Sequence, residues 1–146
     1  MCHFKNCFSL LFLFVILAGM TASCRRSHDD NSGGPNIVSP ASGAWKVTYF
    51  FDKKDETGHF SAFVFEFQND GTLLAVRAGD TYRGIWRSFT DSGVQKFVMN
   101  FPGVHPSALE ELEEDWRIIQ LDLSLMYFDH VSGGDGGTDI VKFEKI

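Results

Sequence analysis

Beyond residue 24 the sequence has no cysteine. Its three cysteines are Cys2, Cys7 and Cys24. A domain built from the rest has neither a disulfide nor a thiol nucleophile, so its core alone must stabilise it. Basic residues are also few: 13 Lys and Arg stand against 19 Asp and Glu, for a net charge of −6. That balance excludes nucleic acid, whose phosphates require a basic footprint. No apolar run reaches membrane-spanning length; Phe8–Leu17 (FSLLFLFVIL) is too short to cross a bilayer comfortably. No Ser/His/Asp order with elbow glycines occurs, no phosphate loop occurs, and no carboxylate pair is singled out for acid–base work. No enzyme activity and no cofactor are therefore expected. What is present is a chain of 146 residues, enough for one domain, with 44% hydrophobic and 14% aromatic residues.

The chain opens on an export pattern. Lys5 is the lone fixed positive charge, Phe8–Leu17 is the apolar centre, and Ala18, Gly19, Thr21, Ala22 and Ser23 are small or polar. Cys24 follows directly. This resembles the lipobox of bacterial lipoproteins, in which the signal is cut before a cysteine that becomes lipid-modified; Thr21 stands where leucine is usual. The resemblance implies a signal over 1–23, lipidation at Cys24, and anchoring to the outer membrane through that lipid. Residues 24–42 are rich in Ser, Gly, Pro and Asn and are expected to form a flexible tether. Within it, Ser27-His28-Asp29-Asp30 resembles the acidic surface-export signal of Bacteroidota lipoproteins, which would expose the domain on the cell surface. An ordinary solvated linker is the alternative.

From Gly43 onward the pattern is that of strands. Trp45, Val47, Tyr49 and Phe51 alternate with Lys46 and Thr48, as in a strand with one buried face. His59–Phe67 carries Phe63, Phe65 and Phe67 on one face, and Asn69-Asp70-Gly71 supplies a hairpin turn. Strands follow over Thr72–Ala78, Thr81–Phe89 and Val94–Phe101. Pro102 and Pro106 then break the pattern. Ser107-Ala108-Leu109-Glu110 reads as a capping box opening a short helix over 107–114. Three more strands close the chain: Trp116–Leu121, Ser124–Asp129 and Thr138–Lys145. The fold class is all-β, an eight-stranded up-and-down antiparallel barrel over 43–146 with one short helix between strands five and six.

Gly43-x-Trp45, Asn69-Asp70-Gly71, Gly84-x-Trp86, Leu109-x-x-Leu112-x-x-x-Trp116 and Ile140-Val141-Lys142-Phe143 occur in that order. Together they resemble the lipocalin-like lipoproteins of Bacteroidota. The resemblance spans residues 43–146 and implies a small barrel behind a lipid-anchored tether. Classical lipocalins place a helix after the barrel, whereas here it falls inside the strand order.

Two functions follow from such a barrel. It can hold a small apolar or amphipathic ligand at its mouth, lined by Tyr49, Phe63, Tyr82 and Met99 from the aromatic faces of their strands. Alternatively, a filled barrel presents its loops to a protein or glycan partner. The charged loop 52–58, the acidic helix and Gly133–Gly137 would form that surface. Every Trp and Tyr lies after residue 42, with eleven of the fifteen Phe; this many rings points toward filling. Trp45, Trp86 and Trp116 are expected to close the barrel base. His59, His105 and His130 lack metal-ligand spacing and are read as surface or satisfied histidines, so no metal is expected. Gly133–Asp139 resembles a single calcium-repeat unit only faintly and is read as a turn. Glu110, Glu111, Glu113, Glu114 and Asp115 read as a solvated face, with a basic partner as the alternative.

Overall fold

A computed structural model describes residues 39–40, 43–133 and 136–146. The predicted signal, Cys24 and nearly all of the tether lie outside the described residues. The chain forms an antiparallel sheet with β1 Ala44–Asp52, β2 Lys54–Asp55, β3 Val64–Phe67, β4 Thr72–Arg77, β5 Asp80–Asp91, β6 Val94–Asn100, β7 Asp115–Leu121, β8 Leu125–Val131 and β9 Thr138–Lys145. β1 pairs with both β2 and β3, each strand from β3 on pairs with the next, and β1 also pairs with β9. That last pairing closes eight strands into a barrel; β2 is a two-residue flap folded back on the end of β1. The helix α1, Ser107–Glu110, lies between the fifth and sixth barrel strands, as expected.

The interior is made of rings. Phe97 stacks on Phe128 at 4.7 Å between centroids and on Trp86 at 5.4 Å. Phe143 meets Phe65 and Phe67 edge-on at 5.3 and 5.6 Å. These rings come from five different strands, so the packing ties the barrel across its axis and not merely along the sheet. Gly84 makes room for it: a Cβ there would lie 2.5 Å from the Asn100 carbonyl oxygen and 2.8 Å from the Phe101 ring.

Four local expectations are corrected. First, the period-2 reading of β1 fails at its middle. The register shifts between Val47 and Tyr49, so Val47 pairs with Phe143 but Tyr49 pairs with Lys142 and Phe50 with Val141. One extra residue, Thr48, reverses the faces. Phe50 is buried, while Tyr49 and Phe51 stack on each other outside. Second, the predicted strand from His59 begins only at Val64. Thr57–Phe60 is a 3-10 turn, held by the His59 amide on the Glu56 carbonyl at 2.9 Å, and it exists to fold Phe60 into the core.

Third, α1 is shorter than 107–114 and no capping box forms. Its N-cap is Pro106 and no side chain caps it. The chain continues from Leu109 as tight turns, with Leu112 N–H on the Leu109 carbonyl and Glu113 N–H on the Glu110 carbonyl. Those turns bury Leu109 and Leu112 together. Fourth, the three tryptophans do not share one end. Trp45 Nε1 donates to the Pro40 carbonyl at 3.0 Å, and Trp86 Nε1 to the Gln68 carbonyl at 2.9 Å, beside the Asn69–Gly71 turn. Those two close the base. Trp116 sits at the opposite end, its Nε1 bonded to the Leu112 carbonyl at 2.9 Å.

Candidate functional site

The end of the barrel opposite Trp45 carries the chemically distinctive groups. Its floor is an aromatic plug: Phe60 packs on Phe50 at 4.8 Å, and Phe50 on Trp116 at 6.4 Å. Thr57 fixes the turn that delivers Phe60. Its hydroxyl accepts the Phe50 amide at 2.9 Å, and its own amide donates to the Asp55 carboxylate at 2.9 Å. The hydroxyl and amide of Thr57 hold the Asp55 carboxyl below its ordinary range. On the other side, Leu109 and Leu112 anchor the segment that follows α1.

Above this plug stand carboxylates and histidines. A cleft of about 60 Å³ is lined by Phe50, Asp52, Glu111, Glu114, Trp116 and Asp139. His130 lies between two of them, with Nε2 3.8 Å from Glu114 and Nδ1 3.6 Å from Asp139. Asp139 also accepts the Ser132 hydroxyl at 2.6 Å. His105, on the β6–α1 connection, faces Glu113 at 3.7 Å. His59 faces Glu111, with Nδ1 3.3 Å from Oε1 and 3.4 Å from Oε2. Three histidines from three segments thus each meet one carboxylate of the acidic run. Within that run Glu110, Glu114 and Asp115 are exposed, as a solvated face would be, while Glu111 and Glu113 are partly buried beside their histidines. Glu56, His59 and Glu111 also bring three ligand atoms within 4.8 Å of one another, a set able to hold a metal ion.

A second hollow, about 280 Å³, lies along β6, β7 and β8 and is lined by Val94, Lys96, Asp115, Arg117, Asp129, His130 and Val131. Its charges are mutually satisfied. Arg117 grips Asp129 through two hydrogen bonds, Nε to Oδ1 at 2.7 Å and a second from Nη2, and Lys96 reaches Asp115 at 3.4 Å. The bidentate bond to Asp129 raises the Arg117 pKa further. With both cations engaged, neither is spare for an anionic ligand.

The four residues expected to line a ligand mouth separate. Phe63 and Met99 are fully buried and belong to the core. Tyr82 is half-buried beside Phe63, 6.3 Å between rings. Arg77 lies over the Phe63 ring at 4.7 Å, covering it from solvent. Tyr49 is corrected outright: the bulge places it on the outer face, where the Lys142 ammonium lies 5.7 Å from its ring. Phe63 and Tyr82 are brought together; Tyr49 does not join them.

The rim set was not visible to spacing. His59 and Glu111 are separated by 52 positions, and only the barrel's closure brings the 3-10 turn against the end of α1. Glu56 and His59 did carry a signal. They stand three apart, the period of a 3-10 turn, so their side chains rise on one side. Recognising the turn inside the apparent strand His59–Phe67 would have found them.

No family model matches the sequence, and no curated protein matches it. Among solved structures, the chain is similar to a DUF4847 family protein from Bacteroides vulgatus ATCC 8482, at 18% identity and a TM-score of 0.49, over 71% of this chain and 92% of that one.

Proposed function

We propose that this chain is a cell-envelope lipoprotein whose filled barrel serves as a tethered interaction module, held to the outer membrane through Cys24. The observation that carries the second half is the interior. The rings of Trp86, Phe97, Phe128, Phe143, Phe65 and Phe67 occupy the barrel axis in mutual contact. Room for a small apolar ligand would have to be opened by displacing them, at the cost of core packing. The face distribution supports a tethered domain over a spanning one. Thr81, Arg83, Ile85 and Arg87 of β5 are exposed, while Tyr82, Gly84 and Trp86 alternate with them on the core side. A lipid-spanning barrel has the reverse, apolar outside and polar within. The surface offered to a protein or glycan partner is the rim, where Asp52, Asp55 and Glu56 and the segment after α1 present carboxylates.

Two measurements test this. Cys24→Ser expressed in an outer-membrane host should move the protein to the soluble fraction and abolish incorporation of labelled fatty acid. If the variant stays membrane-bound and the wild type takes up no label, the anchoring half is wrong. Native mass spectrometry of the purified protein, mixed with extracted envelope lipids and glycans, should retain no apolar small molecule. Stoichiometric retention of one, lost on Phe63→Ala or Met99→Ala, would restore the ligand-carrier reading.

A further inference from the structure

We propose that Glu56, His59 and Glu111 form a divalent-metal site, of the borderline zinc type, that clips the Thr57–Phe60 turn to the end of α1. The set is mixed, one imidazole nitrogen with two carboxylates, and it is drawn from two segments that approach only in the folded chain. The three donor atoms lie within 4.8 Å of one another.

Three features suit the set to a metal in addition to the His59–Glu111 hydrogen bond it already forms. The first is the edge length. A tetrahedral zinc ion with bonds of about 2.0–2.2 Å holds neighbouring ligand atoms about 3.4 Å apart. His59 Nδ1 stands 3.3 and 3.4 Å from the two oxygens of Glu111. The second is backbone placement. Glu56 is the N-cap residue of the 3-10 turn and His59 lies within it; the amide of one is bonded to the carbonyl of the other, so the pair is fixed before any ion arrives. Glu111 is the C-cap residue of α1, held by Leu109 and Leu112 in the core. The third is access. The side chain of His59 is half-exposed and that of Glu111 partly so, which leaves a fourth position open to water.

The charged surroundings favour a cation. Asp52, Glu114 and Asp139 line the adjoining cleft with Glu111. One cation competes: the Lys54 ammonium lies 3.1 Å from Glu56 Oε1. That side chain is largely exposed and flexible, and Glu56 has a second oxygen. The nitrogen donor selects against calcium and magnesium, which take oxygen ligands and more of them.

The test uses the full chain carrying Cys2→Ser, Cys7→Ser and Cys24→Ser, so that no thiolate competes. After EDTA treatment it is titrated with Zn²⁺, Ca²⁺ and Mg²⁺ by calorimetry, and with Co²⁺ by visible absorption. One equivalent of Zn²⁺ should bind, and Co²⁺ should give the intense absorption of a low-coordinate site. His59→Ala and Glu111→Gln should each weaken zinc by about 10-fold or more, and His130→Ala should leave it unchanged. Circular dichroism confirms that each variant is folded; these side chains stand above the core, so folding should persist. Absence of saturable zinc binding overturns the proposal. So does binding that survives both substitutions, follows His130, or prefers calcium. The proposal is independent of Cys24 lipidation, which the fractionation experiment decides separately.

Discussion

The two ends of the barrel are closed by different chemistry. At the base, Trp45 and Trp86 lay apolar rings across the opening, and each indole N–H is bonded to a loop carbonyl. The rim has the same kind of floor, Phe50, Phe60 and Trp116, but it carries a layer of charge above it. At both ends a tryptophan packs and satisfies a backbone acceptor, Trp116 through the Leu112 carbonyl; the rim adds His–carboxylate pairs above its rings. Both floors are therefore structural, and the rim differs in the charged layer it carries.

Deleting a floor ring is the strongest way to probe that contrast. Trp45→Ala at the base and Trp116→Ala at the rim should each cost about 3–5 kcal/mol in chemical denaturation, as expected for a truncated core aromatic. Equal losses support the view that both floors are structural. A small loss at Trp116 would mean the rim floor is adaptable, and the comparison would break.

Gly84→Ala should come next. The new methyl would meet backbone, the Asn100 carbonyl at 2.5 Å, which cannot swing aside as a side chain could. Overpacking of this kind costs about 1–3 kcal/mol. A folded variant with an unshifted midpoint would show that β5 and β6 can spread without penalty.

The charged layer should behave oppositely. Glu114→Gln and His130→Ala remove contacts at 3.6–3.8 Å between partly exposed groups. Each should change stability by at most about 0.5–1 kcal/mol. A larger loss would make these contacts part of the structural floor.

The same division explains what could be read from sequence. Strand order, the barrel class and burial of Trp45 were legible because period-2 alternation and Asn69-Asp70-Gly71 are local signals. Tyr49 was misplaced because a bulge is an insertion of one residue, and β-propensity on either side of Thr48 is the same whether or not it occurs. The capping box failed because Pro106 could already start the helix, and burial of Leu109 and Leu112 set how the chain continued. The rim pairs were illegible for a different reason. His59 with Glu111, and His130 with Asp139 across a strand pair, are products of closure and register, which no local pattern encodes.

The smallest expected effect lies at the base and appears only in acid. Asp122, in the β7–β8 turn, accepts the amides of Ser124 and Leu125, each at 2.8 Å, and the Gln120 side-chain amide at 2.7 Å. The Ser124 amide first, then Gln120 and the Leu125 amide, lower its pKa to about 2. An unfolded aspartate titrates near pH 4. The folded value is the lower one, so the turn's contribution is complete above about pH 4 and fades as pH falls toward 2. Asp122→Asn keeps an oxygen for the amides but removes the titration. Melting temperatures of the two proteins should therefore differ most above pH 4 and converge between pH 4 and pH 2. If the Asp122→Asn and wild-type curves stay parallel down to pH 2, the turn is held by its backbone alone and the carboxylate is incidental.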